Sequence, residues 1–119
     1  MRNAVTHLHD LLQYIGDIEA MRLSNINAIQ ENRIMELALT RAYEVIGEIV
    51  KRLPDNLLAT QPHVEWRKIK GFRDFLIHQY HRVDISFLWE AMQDLPNLKA
   101  AVEAMLRTLP PPETEERYE

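Results

Sequence analysis

Apolar positions recur every three or four residues along most of this chain, the spacing of one buried helix face. Val5, Leu8, Leu11, Leu12, Ile15 and Ile18 form the first stripe, in a helix predicted from about Asn3 to Arg22 and weakened locally by Gly16. A side-chain oxygen of Ser24, Asn25 or Asn27 can cap a second, long helix running to about Arg52. Its apolar face reads Ile29, Ile34, Leu37, Ala38, Val45, Ile46, Ile49 and Val50. Lys51 and Arg52 suit the negative end of its dipole, and Pro54 stops it. Residues 54–63 read as a loop with a short turn at Leu57 and Leu58.

Pro62 can open a third helix, where its missing N–H costs nothing, and this helix would run from about His63 to Gln79. Asp84 reads as the N-cap of a fourth, from Ile85 to about Asp94. Pro96 interrupts the pattern, which resumes from Asn97 to about Thr108 with Leu98, Val102, Met105 and Leu106 on one side. No segment sustains the period-two alternation of a strand, and the whole chain has 3 glycines. The prediction is an all-α antiparallel bundle of four to five helices over residues 1–109, one domain in 119 residues. Residues 110–119, proline-rich and acidic, read as a disordered tail.

Composition narrows the chemistry. With 0 cysteines, a disulfide scaffold, a cysteine-based zinc site and a cysteine nucleophile are excluded. No apolar run approaches the roughly 18 residues of a membrane span. The N-terminus lacks the basic start and apolar core of a signal peptide, so a cytoplasmic location is expected. The net charge of -4 argues against nucleic acid as a partner, but its distribution changes that picture. From Trp66 to Arg82 there are five basic residues (Arg67, Lys68, Lys70, Arg73, Arg82) against Asp74, a local +4 that leaves -8 for the rest. Such a local field can attract phosphate.

That basic segment contains GFRDFLIHQYHRVD (residues 71–84), an apolar helix crowded with ionisable groups. Arginine offers phosphate a planar fork of hydrogen bonds. Histidine can take or give a proton near neutral pH. Arg73 and His78 therefore hold the parts for RNA cleavage. A base removes the 2′-OH proton, the alkoxide attacks phosphorus, and the arginine stabilises the charge. Spacing alone equally fits an unremarkable surface pair, because five helical residues separate the two by about 140°. Convergence needs a long arginine, a helix ending near His78, or a second copy of the chain. Metal binding is the weaker alternative. His78 and His81 are spaced to share an ion, flanked by Asp74 and Asp84, yet no recognised zinc pattern is present and none is expected. The pair His7 and His9, with Asp10, reads as solvated helix surface. Trp66 and Trp89 read as core or interface anchors, and Gly47 and Gly71 as sites of close helix approach.

The spacing Arg73-x4-His78-x-Tyr80 resembles the motif of the HEPN superfamily, and more closely that of the HepT toxin family. EVIGEIVKRLP (residues 44–54) resembles the family's second-helix signature, and VEWRKIKGFRDFLIHQY (residues 64–80) its motif helix. The likeness spans roughly residues 5–108. It implies an all-α HEPN bundle that acts as a metal-independent endoribonuclease, with the site in a cleft between two copies of the chain. Arg73 would then hold the scissile phosphate, His78 would be the acid–base residue, and Asp74 would orient one of them or the RNA. The resemblance further implies a toxin of a type VII toxin–antitoxin system, partnered by a minimal nucleotidyltransferase antitoxin that transfers AMP to Tyr80. A rival reading makes the bundle a non-catalytic positioning subunit of that nucleotidyltransferase.

Overall fold

The computed structural model describes residues 3–78 and 84–109, and all regular structure among them is helical. Tyr80, His81, Arg82 and the tail, to which roles or disorder were assigned above, lie outside the described residues. Five helices have nine or more residues: α1 (Ala4–Ala20), α3 (Arg33–Lys51), α5 (Trp66–His78), α6 (Ile85–Gln93) and α7 (Leu95–Thr108). Two are short, α2 (Ile26–Gln30) and α4 (Asp55–Leu58).

Helix α3 is the centre of the bundle, packed against α1, α2, α5 and α6, while α7 closes the far side of α1. The predicted stripes of the first and last helices fill the core. Leu8, Leu11, Ile15 and Ile18 of α1 are fully buried, as are Val102 and Met105 of α7, with Leu98 buried beside them. Side-chain caps set several starts. Asn3 accepts from the Thr6 amide, and Asp84 from the Ser86 amide, as its position before the α6 pattern predicted.

The second helix differs from expectation. It is broken at Glu31–Asn32, and Asn32 turns to cap α3 by accepting from the Met35 amide. The break re-registers the face. Leu39, Ala42 and Tyr43 go inward, whereas Ile34 and Leu37 stand 76% and 53% exposed. Ala38 is also exposed, so the middle of the predicted face lies outside the core, while Ile29 before the break and Ile46, Ile49 and Val50 after it are buried.

The third helix begins at Trp66, not near Pro62. The Trp66 indole N–H donates to the carbonyls of Leu58 and Gln61, both at 3.0 Å, and this ties the irregular residues 61–65 back to the end of α4. Trp66 is thus a buried anchor, with Trp89 packed at the core edge. Pro96 falls at the start of α7, where it needs no donor. His7 is buried within α1, correcting its reading as solvated surface, while His9 is exposed.

The Trp66 indole is a second donor to the Leu58 and Gln61 carbonyls, each of which also accepts a backbone N–H, so Trp66→Phe should cost about 0.5–1.5 kcal/mol in urea denaturation. A loss under about 0.5 kcal/mol would mean that packing alone holds the α4–α5 connection.

Candidate functional site: the crossing of α3 and α5

Two glycines expected to play the same part play opposite ones. A Cβ built on Gly47 would lie 2.2 Å from Cβ and 2.8 Å from Cγ of Arg73, so only glycine lets α5 seat at this point of α3. A Cβ on Gly71 meets nothing within 4 Å. That glycine borders open space, not a close approach.

Seated over Gly47, the Arg73 side chain runs along α3 and is 24% exposed. Its Nη2 forms an ion pair with the Glu48 carboxylate at 2.7 Å, and its Nη1 donates to Asp74 at 3.0 Å. Asp74 also accepts from Lys51 Nζ at 2.5 Å. An acid and a base on α3, Glu48 and Lys51, therefore meet a base and an acid on α5. Arg52 reaches Glu48 at 3.5 Å, and Lys70 approaches Asp55 at 4.0 Å.

Hydrogen bonds from Lys51, and next from Arg73, hold the Asp74 carboxyl below the usual carboxylate range. Its folded pKa lies below the unfolded one, so this pairing supports the fold above the ordinary carboxylate range and fades as pH falls through the lowered value. Glu48, Lys51, Arg52, Asp55, Lys70, Arg73 and Asp74 together sum to a formal +1, with four bases against three acids. A guanidinium has five N–H donors, so Arg73 keeps some free for an incoming anion.

His78 ends α5 and is exposed, with no hydrogen bond or ion pair among the described residues. Within one chain the structure joins Arg73 to Asp74 but makes no hydrogen bond between Arg73 and His78, so the reach of the arginine does not overcome the helical offset of about 140°. Of the segment's apolar residues, Leu76 is buried and Phe72 half-buried, but Phe75 and Ile77 are exposed. Sequence reasoning gave no ground for Glu48. Its pairing depends on how α3 and α5 cross, and the only local sign was the glycine beside it. No group of three or more His, Asp or Glu side chains that could hold a metal occurs among the described residues.

Comparison with known proteins places the chain. The profile described as "Ribonuclease HepT-like" matches residues 11–105, and the chain belongs to that family. "Putative RNase MJ1216" of Methanocaldococcus jannaschii is 33% identical over 110 residues, which cover 91% of each chain. "Putative RNase MJ0125" of the same organism is 34% identical over 91% of this chain and 95% of its own length. "Probable ribonuclease HepT" of Thermococcus cleftensis is 38% identical over 71 residues, 59% of this chain and 64% of its own. No solved structure matches the chain.

The Gly47 contact is directly testable. Gly47→Ala should destabilise the protein by about 2 kcal/mol in urea denaturation, since overpacking outweighs the gain in helix propensity. Gly16→Ala, where a Cβ meets nothing within 4 Å, should instead raise stability by up to about 1 kcal/mol.

Proposed function

We propose that this chain is an endoribonuclease toxin whose own residues cleave RNA without a metal. The observation that carries the reading is Arg73, fixed over Gly47 in a basic patch with donors to spare, on the same helix as an exposed His78 that has no hydrogen bond or ion pair among the described residues. Membership of a ribonuclease family supports it.

In this reading Arg73 holds a non-bridging oxygen of the scissile phosphate. His78 takes the 2′-OH proton, the 2′ oxygen bonds to phosphorus, and the bond to the 5′ oxygen breaks. A protonated imidazole returns the proton to that leaving oxygen. The products are a 2′,3′-cyclic phosphate and a 5′-hydroxyl. Arg73 and His78 point about 140° apart on one helix, so two copies of the chain facing across a cleft give the convergent arrangement. The active form is accordingly a homodimer, open to higher assembly, acting on mRNA or tRNA in the cytoplasm. Asp74, shared between Arg73 and Lys51, positions the guanidinium.

Control falls to Tyr80, two residues beyond His78. A cognate minimal nucleotidyltransferase antitoxin would use ATP. The phenol oxygen attacks the α-phosphorus, pyrophosphate leaves, and AMP remains on the ring. Its negative charge would then occupy the ground that RNA phosphate needs.

One observation favours the non-catalytic alternative: Glu48 and Asp74 already pair with Arg73, which suits a structural arginine in a nucleotidyltransferase-positioning subunit. Cleavage assays separate the two readings. His78→Ala should lower RNA cleavage by about 10²–10⁴-fold and Arg73→Ala by about 10²–10³-fold, both variants melting cooperatively. Wild-type rates in both would sink the nuclease reading. For the regulatory half, intact-mass measurement after incubation with the antitoxin and ATP should show AMP increments that Tyr80→Phe abolishes.

A further inference from the structure

A second feature lies on the other side of α5 from Arg73. Helix α5 packs on α3, and α6 packs on α2, α3 and α7, but α5 and α6 leave a seam between them. Phe75 meets Phe87 at one end, with ring centroids 5.7 Å apart. At the other end Lys68 approaches Asp94 at 4.0 Å. Between these contacts Gly71 of α5 and Ala91 of α6 line a cavity of about 390 Å³, within the range of small-ligand sites. The space exists because both positions are small, and a Cβ on Gly71 would meet nothing.

The floor of this cavity carries an unspent polar group. Tyr43 is 6% exposed and lines it, and its buried hydroxyl has no hydrogen-bond partner among the described residues. Leaving such a group unsatisfied costs free energy, so its place beside a cavity points to a ligand. Burial, and behind it the Asp94 charge, push the phenol above its usual range and keep it neutral. The walls are aromatic: Phe72 stacks on Phe75 at 6.3 Å, and Tyr43 meets Phe72 edge-on at 5.7 Å. Glu65, Glu90 and Asp94 line the cavity against one lysine, Lys68. That balance repels phosphate and accepts hydrogen bonds from amino groups.

We infer that this seam is a pocket for one unpaired nucleobase bearing an exocyclic amino group, presented by RNA whose phosphates lie on the basic side of α5. The inference rests on the proposed ribonuclease reading for its ligand, but the pocket's existence does not depend on catalysis. Phe75 is one turn from His78, about 4.5 Å along the axis, so a base held here belongs to a nucleotide beside the cut. The ring stacks on the phenylalanine walls, Tyr43 meets a ring heteroatom, and a carboxylate accepts from the amino group. Uridine lacks that amino group and is the poorest fit.

The test is titration of the whole, uncleaving protein (His78→Ala) with adenosine, cytidine, guanosine and uridine, followed by NMR at Phe72, Phe87 and Ala91. The three amino-bearing nucleosides should shift these signals and bind more tightly than uridine. Gly71→Leu should weaken binding at least tenfold. It fills open space and replaces a helix-weakening glycine, so it should fold, as a melting curve would check. Tyr43→Phe, losing one hydroxyl, should weaken binding about three- to tenfold. No response to any nucleoside, or equal binding by Gly71→Leu, overturns the pocket. Nucleoside binding by a chain whose wild type cuts no RNA retains the pocket and overturns the nuclease reading. Cleavage without nucleoside binding does the reverse.

Discussion

The contact between Gly47 and Arg73 governs where everything else on α5 falls. One absent Cβ lets two helices approach until the arginine's own Cβ occupies the space a side chain would have taken. With that point fixed, helical geometry sets the rest. Arg73 turns along α3 toward Glu48, Asp74 faces Lys51, and Leu76 enters the core. Lys68, Gly71, Phe72 and Phe75 face α6, and His78 reaches solvent. A glycine here is a positioning device as much as a packing one.

The ion pairs at this crossing are specific without being strong. Most of the groups are a quarter to a half exposed, and solvent screening keeps each pair's contribution small. Their effect is geometric: the guanidinium is held from two sides and cannot swing freely between rotamers. Preorganisation of that kind favours binding of a developing charge over simple attraction. The apolar contacts beneath supply the cohesion, with α1, α3 and α7 contributing most of the fully buried side chains.

How much of this was legible in the sequence depended on how local the cause was. The α1 and α7 stripes and the Asp84 cap were readable, because each depends on a few neighbouring residues. The break at Glu31–Asn32 was not, since the apolar repeat continues through Ile34 and Leu37 as if the helix did. What stops it is an Asn32 side chain choosing to cap α3, an alternative that no spacing reveals. The start of α5 was misplaced for a similar reason: an indole reaching back to α4 overrides a favourable proline. At the candidate site, the motif arginine was visible. Glu48 was hidden by its 25-position separation from Arg73. Gly47 and Gly71 gave the same signal for opposite surroundings, because a glycine reports that a side chain is missing and not what lies beyond it. Tyr43 carried no signal in the sequence, because what sets it apart is a buried hydroxyl without a hydrogen-bond partner among the described residues, which only the packing reveals.

The bundle is not equally stiff on the two flanks of α5. Toward α3 the fit at Gly47 is tight, because Arg73 fills the recess that glycine leaves and the Ile69 carbonyl closes its edge. Toward α6 a ring pair and a long ion pair flank a void. Whatever enters that void leaves the seat of Arg73 over Gly47 untouched, because the two lie on opposite flanks of α5.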